Sequence, residues 1–171
     1  CEGLEIELGD SFSGAAFLSF GDDERRAAEA VAQLDLKPFA FRGFLGNRRT
    51  ASFGWHYDFN GGGLRKAADI PTLFLPYRET AAAFAGVESD SLEHLLIIEY
   101  GPGAGIGWHR DRPQFGIVAA ISLLAPCRMR FRREAEDGRW DRTDLTLAPR
   151  SAYVLAGAGR HVWEHSIPAL D

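Results

Sequence analysis

Apolar and polar positions change rhythm along this chain, and the changes mark out its elements. From Asp22 to Leu36, DDERRAAEAVAQLDL, the residues Ala27, Val31 and Leu34 recur at i, i+4 and i+7, which predicts a helix with a narrow apolar face. Acidic residues at its start suit the positive end of the helix dipole. TLFLPYRETAAAFAGV, Thr72–Val87, predicts a second helix beginning properly near Pro76, because a first helical turn leaves unused the N–H that proline lacks. Between them SFGWHYDF alternates like a strand, with Phe53, Trp55, Tyr57 and Phe59 on one face. From Leu95 onward the apolar runs shorten. Leu95–Tyr100, Gly105–His109, Gly116–Leu124, Arg128–Arg133, Asp144–Leu147, Ser151–Gly157 and His161–Ser166 read as strands. Gly101–Gly103, Glu136–Gly138 and Ala148–Ser151 supply turns, and Asn60–Gly63 reads as a loop tip. Helices followed by closely spaced strands are the order of an α+β chain whose sheets close into a sandwich or barrel.

Composition narrows the classes. A chain of 171 residues, 46% hydrophobic with 12 Phe and 4 Trp, is long enough for one domain with a sizeable core. A net charge of −5 excludes a generally basic nucleic-acid binder, so any such contact must come from a local patch. Cys1 and Cys127 allow at most one bridge, which excludes a disulfide scaffold and a cysteine-based zinc site. GIVAAISLLAP is too short to span a membrane, and no basic-then-apolar leader opens the chain, so a cytoplasmic protein is expected.

GWHRDRP, Gly107–Pro113, is the stretch that carries chemistry. His-Arg-Asp also spells a kinase catalytic loop, but that loop needs an Asn five positions after the Asp, and Gly116 stands there. A zinc deaminase needs H-x-E with P-C-x-x-C, and PCRMR has a single Cys. A metal site fits better. Residues two apart on a strand share a face, so His109 and Asp111 offer an imidazole nitrogen and a carboxylate oxygen to one ion while Arg110 points away. A third, later His would complete a two-His-one-carboxylate triad, the donor set of non-haem Fe(II) oxygenases. RHVWEHSIP offers His161 and His165, which with Trp163 would share one strand face, so periodicity does not choose between them. His56 and His94 are more remote alternatives. Trp108 and Trp163, beside the ligands, are expected to pack the barrel.

Together, IIEYGPGAGIGWHRD and the later WEHSIP resemble the AlkB-like Fe(II)/2-oxoglutarate-dependent dioxygenases. That family has a strand Tyr, a Pro-Gly turn, His-x-Asp, and a distal His followed by an aliphatic residue and often Pro. The resemblance covers roughly Pro38 to Asp171. It implies a double-stranded β-helix, or jelly-roll, core with N-terminal helices packed on it, in a single domain over 1–171 that lacks the family's closing strand. It implies Fe(II) on His109, Asp111 and His165, Tyr100 against 2-oxoglutarate, and O₂ as co-reactant. Two positions depart from the pattern. Ile98 stands where the family usually has Asn, and no Arg follows His165 to grip the distal carboxylate of 2-oxoglutarate. Arg128 and Arg130, two apart on a strand, are candidates for that duty, although a solvated strand face is the commoner use of such residues.

FRGFLGNRRTASFGWHYDF resembles the family's substrate-recognition segment. It mixes Arg42, Arg48 and Arg49 with Phe44, Phe53, Trp55, Tyr57 and Phe59; arginines meet phosphates and aromatics stack a splayed base. Trp55 and Tyr57 are the candidates for base contact, Arg48 and Arg49 for phosphate. The same aromatics would equally well form a packed sheet face. The expected activity is oxidative demethylation of nucleobases in DNA or RNA. A protein-directed hydroxylase of the same fold, and a non-catalytic jelly-roll binding module, are the alternatives.

Overall fold

The computed structural model describes residues 12–17, 23–41, 44–59 and 61–169. Cys1, Asp22, Arg42 and Asn60 lie outside the described residues, as does the side chain of Phe44. In chain order the elements are β1 (Phe12–Phe17), α1 (Asp23–Ala32), β2 (Lys37–Phe41), β3 (Phe44–Phe53), β4 (Trp55–Asp58), β5 (Gly63–Lys66), α2 (Leu75–Ala85), β6 (Leu95–Glu99), β7 (Ile106–His109), β8 (Val118–Ser122), β9 (Cys127–Glu134), β10 (Trp140–Leu147), β11 (Ser151–Leu155), α3 (Gly157–His161) and β12 (Glu164–Ile167). Strands dominate, and β1 to β5 occupy a region in which the sequence suggested little beyond helix and one alternating run. The chain divides into two compact units, Arg25–Gly105 with Ala169–Asp171, and Cys1–Glu24 with Ile106–Pro168.

In the first unit α1 stops at Ala32 rather than Leu36. Gln33 and Leu34 donate to the carbonyls three residues back, a tightened last turn. Pro38 then biases Lys37 toward extended backbone, where β2 begins. Ala27 and Ala30 are the buried positions of the helix. β2, β3 and β6 form an antiparallel sheet in that order, which leaves Pro38 on an edge strand, where a missing donor costs least. α2 starts as its proline requires and ends on Gly86 at φ 67°, with the Val87 N–H returning to Ala82 O at 3.0 Å. The run SFGWHYDF is not one strand. Gly54, at φ 73°, separates β3 from β4, and β4 turns away to pair with β5.

In the second unit β1, β11 and β8 form one antiparallel sheet, and β10, β9, β12 and β7 form another. Alternation along β9 sends Met129 and Phe131 inward, both 1% exposed, and Arg128, Arg130 and Arg132 outward. Met129, Phe131, Leu145 and Leu147 from one sheet and Leu155 from the other share a core with Trp163, against which Val118 and Tyr153 pack. The two sheets therefore face each other as a sandwich. Cys127, half-buried at the edge of this core, is a free thiol whose pKa burial raises.

Candidate metal centre

The inner face of the four-stranded sheet holds the site. β12 runs antiparallel to β7 with His165 directly opposite His109, so pairing alone sets the two imidazoles side by side, ring centroids 4.3 Å apart. β7 ends at His109, and Asp111, two residues on, returns to the same side as the imidazoles. Asp111 Oδ1 lies 3.7 Å from Nε2 of His109 and 3.7 Å from Nε2 of His165. One ligand atom from each residue lies within 4.8 Å of the others.

The protein has already chosen which nitrogens face the centre. His109 Nδ1 sits 2.9 Å from the Gly107 carbonyl, to which it donates, so Nε2 keeps its lone pair for an ion. His165 is 7% exposed, its Nδ1 is buried without a hydrogen-bond partner, and its pKa is pushed down to about 4. Burial is the chief cause; the charge of Asp111 opposes it, and His109 and Arg160 add to it. For Asp111, burial alone would raise the pKa. The His109 hydrogen bond and the charges of His165, His109 and Arg160 outweigh that and hold it below the usual carboxylate value. The lowered pKa of His165 and that of Asp111 both favour the deprotonated forms a divalent cation needs. The donor set is N, N, O with no thiolate, which fits Fe(II).

His161, the other candidate for third ligand, is excluded by local structure. It closes the short helix α3 and never joins the strand, which starts only at Glu164. Trp163 is 6% exposed and lies in the core as expected, whereas Trp108 lies under Arg130 and Arg132, whose guanidinium carbons are 5.1 and 4.6 Å from its ring centre. Arg128 pairs with Asp144 at 3.0 Å, and Arg130 donates to Ser166 at 3.1 Å. Both therefore lie on the sheet face opposite His165, which corrects their candidacy as a carboxylate anchor at this centre. Sequence reasoning missed Arg160 entirely. It is 3% exposed, and its guanidinium donates to four backbone carbonyls of the segment following the metal motif.

The candidate substrate residues all lie in the unit Arg25–Gly105. Arg49 on β3 stands opposite Glu99 on β6 and forks onto it, with two hydrogen bonds of 2.8 Å. Arg48 stacks on Phe39, 3.8 Å from the ring centre; burial lowers its pKa, and Tyr100 acts in the opposite direction. Phe39 meets Phe59 edge-on at 5.2 Å, and Phe59 meets Tyr57 at 4.8 Å. Trp55 is held elsewhere, its indole N–H on Glu93 at 2.9 Å and Lys66 over its ring at 4.1 Å. These contacts bring Arg48 and Tyr57 into one aromatic cluster and leave Trp55 outside it.

A family model described as the 2OG-Fe(II) oxygenase superfamily matches residues 44–171, and the chain belongs to that superfamily. Within that superfamily the chain is similar to AlkB-like relatives. It is 28% identical over 147 residues to an Arabidopsis thaliana protein named alkylated DNA repair protein ALKBH8 homolog, covering 72% of this chain and 42% of that one. It is 35% identical over 92 residues to the Bos taurus mitochondrial alpha-ketoglutarate-dependent dioxygenase alkB homolog 7, covering 53% of this chain and 40% of that one. The chain thus spans less than half the length of these relatives. The solved structure of OsALKBH1 superposes with a TM-score of 0.63 at 14% identity, covering 92% of this chain and 86% of that one, which establishes the jelly-roll fold. Helices are a minor part of it. No helix among the described residues is long and apolar enough to cross a membrane.

Proposed function

We propose that this chain catalyses oxidative dealkylation of N-alkylated nucleobases, with His109, Asp111 and His165 as the metal ligands. The convergence of these three donors on one face of the four-stranded sheet is the observation that carries the reading. Fe(II) bound there, with 2-oxoglutarate and O₂, would supply the oxidant for hydroxylating a C–H bond. The balance is one O₂ and one 2-oxoglutarate consumed per N–CH₃ converted to N–CH₂OH, with succinate and CO₂ released. The hemiaminal then loses its C–N bond, the nitrogen regains a proton, and formaldehyde leaves.

The chain's own contribution is to hold and orient. The Gly107 carbonyl fixes the His109 tautomer, and burial keeps His165 neutral. The resemblance assigns Tyr100 to 2-oxoglutarate. Trp55 and Tyr57 are assigned to the base and Arg48 to phosphate; Arg49 reaches a phosphate only by releasing Glu99. That commitment of Arg49 is the one observation favouring a protein substrate instead.

The test is succinate and formaldehyde formation from 2-oxoglutarate and Fe(II) with N-methylated single-stranded DNA and RNA, beside methylated peptides. Turnover on oligonucleotides, lost in His109→Ala, is expected. Turnover confined to peptides would move the substrate class to protein. Absence of both turnover and metal binding would leave only a binding module.

A further inference from the structure

Arg160 is buried as deeply as a core leucine, yet it is charged and meets no carboxylate in any of its four hydrogen bonds. Its Nε donates to Gly116 O at 3.1 Å, one terminal nitrogen to Asp111 O at 2.9 Å, and the other to Arg112 O at 2.5 Å and Phe115 O at 2.7 Å. All four acceptors belong to the segment between β7 and β8. That segment has little ladder of its own: Phe115 N to Arg112 O, 3.1 Å, is its internal backbone bond. Arg160 therefore supplies side-chain donors where the loop has few backbone donors of its own. A guanidinium is the side chain suited to it, because its donors spread in a rigid fork. Its placement is fixed from behind, since Arg160 sits in α3 between β11 and β12, and β12 itself carries His165.

From this geometry we infer that Arg160 is a positioning residue for the metal centre. It sets the Asp111 carboxylate relative to the two imidazoles by clamping the Asp111 carbonyl and the loop behind it. A neutral side chain of similar length would withdraw all four guanidinium hydrogen bonds and free the Asp111 backbone to rotate its carboxylate out of register. A lysine would replace one or two of them as a point donor and restore the site in part.

This inference rests on the reading of His109, Asp111 and His165 as metal ligands, and the experiment separates the two. Co(II) is titrated into wild type, Arg160→Met, Arg160→Lys and Leu147→Ala, following the visible ligand-field bands for affinity and coordination and thermal unfolding for stability. Leu147 lies in the core at the far end of β10, away from the His165–Phe131 pairing, so it reports general destabilisation. Expected is a loss of roughly 10–100-fold in Co(II) affinity for Arg160→Met with altered bands, as for other residues that orient ligands, and a smaller loss for Arg160→Lys. Leu147→Ala should lose thermal stability but keep the wild-type affinity and bands. Arg160→Met binding with unchanged affinity and bands would overturn the inference, as would an equal loss of affinity in Leu147→Ala. If Arg160→Met does not fold, Arg160→Lys decides by the same two readouts. Failure of wild type itself to bind Co(II) would overturn the metal-centre reading and this inference with it.

Discussion

Arg49 and Glu99 show how a single residue's role depends on its neighbour. Facing each other across β3 and β6, with side chains 50% and 43% exposed, they form a well-aligned but hydrated pair. Such pairs contribute about 1 kcal/mol at most, so Arg49→Ala should lower thermal stability only slightly. Glu99→Gln removes the competing carboxylate and leaves the guanidinium available. If the substrate is nucleic acid, this variant should bind a single-stranded oligonucleotide more tightly, with a dependence on log salt steeper by about one ion. Measuring affinity across a salt series checks this, and an unchanged slope would remove Arg49 from the phosphate contacts. The pair was invisible in the sequence because its partners are 50 residues apart and only the β3–β6 register joins them. Arg160 was hidden for the same reason, more severely: its acceptors are main-chain carbonyls, which every residue has. The metal ligands were legible because their chemistry is scarce. His-x-Asp carries its own strand geometry, and the choice of His165 needed the family pattern until α3 removed His161.

At the scale of elements, Gly54 decides the path of the polypeptide between β3 and β4. Its φ of 73° lies in the left-handed region, and a Cβ there would run into the backbone carbonyl of Glu93. Neither obstacle can be relieved by a flexible side chain. Gly54→Ala should therefore cost roughly 2–4 kcal/mol, the strained conformation and the steric displacement adding together. Urea unfolding measures it, and a loss below 1 kcal/mol, the ordinary cost of Gly replacement in an open loop, would show that the turn relaxes. Period-2 alternation in SFGWHYDF could not reveal this, since a glycine inside such a run reads the same whether the strand continues or breaks. β3 was obscure for a related reason. Its sequence FLGNRRTASF has no clean apolar face, Leu45 is 72% exposed, and cross-strand pairing and the Arg49–Glu99 fork specify the strand in its place. β9, with Met129 and Phe131 inward between outward arginines, is the opposite case, and its strand was plain.

At the scale of the whole molecule, each unit buries one neutral histidine. His94 in the unit Arg25–Gly105 has its pKa pushed down to about 4, by burial first and then by His56. His165 in the unit Ile106–Pro168 is likewise held at about 4. Both side chains titrate near 6.5 when unfolded, so between about pH 6.5 and pH 4 the unfolded chain binds more protons than the folded one. Metal-free protein should therefore be most stable above pH 6.5 and lose stability progressively as the pH falls toward 4. Divalent metal changes this for one unit only. An ion on His165 stabilises the folded state by about 2.7 kcal/mol at a hundred times its dissociation constant, and the gain shrinks on acidification because protons compete for the imidazoles. Amide hydrogen exchange at pH 7.0 and 5.5, with and without Co(II), distinguishes the two contributions. Added metal should raise protection in Ile106–Pro168, most strongly in β7 and β12, and raise it more at pH 7.0 than at pH 5.5. In Arg25–Gly105 acid should lower protection through His94, and His94→Gln should remove that part of the response. Equal metal-induced protection at both pH values would mean that the ion does not compete with protons for His109 and His165, and would count against them as its ligands.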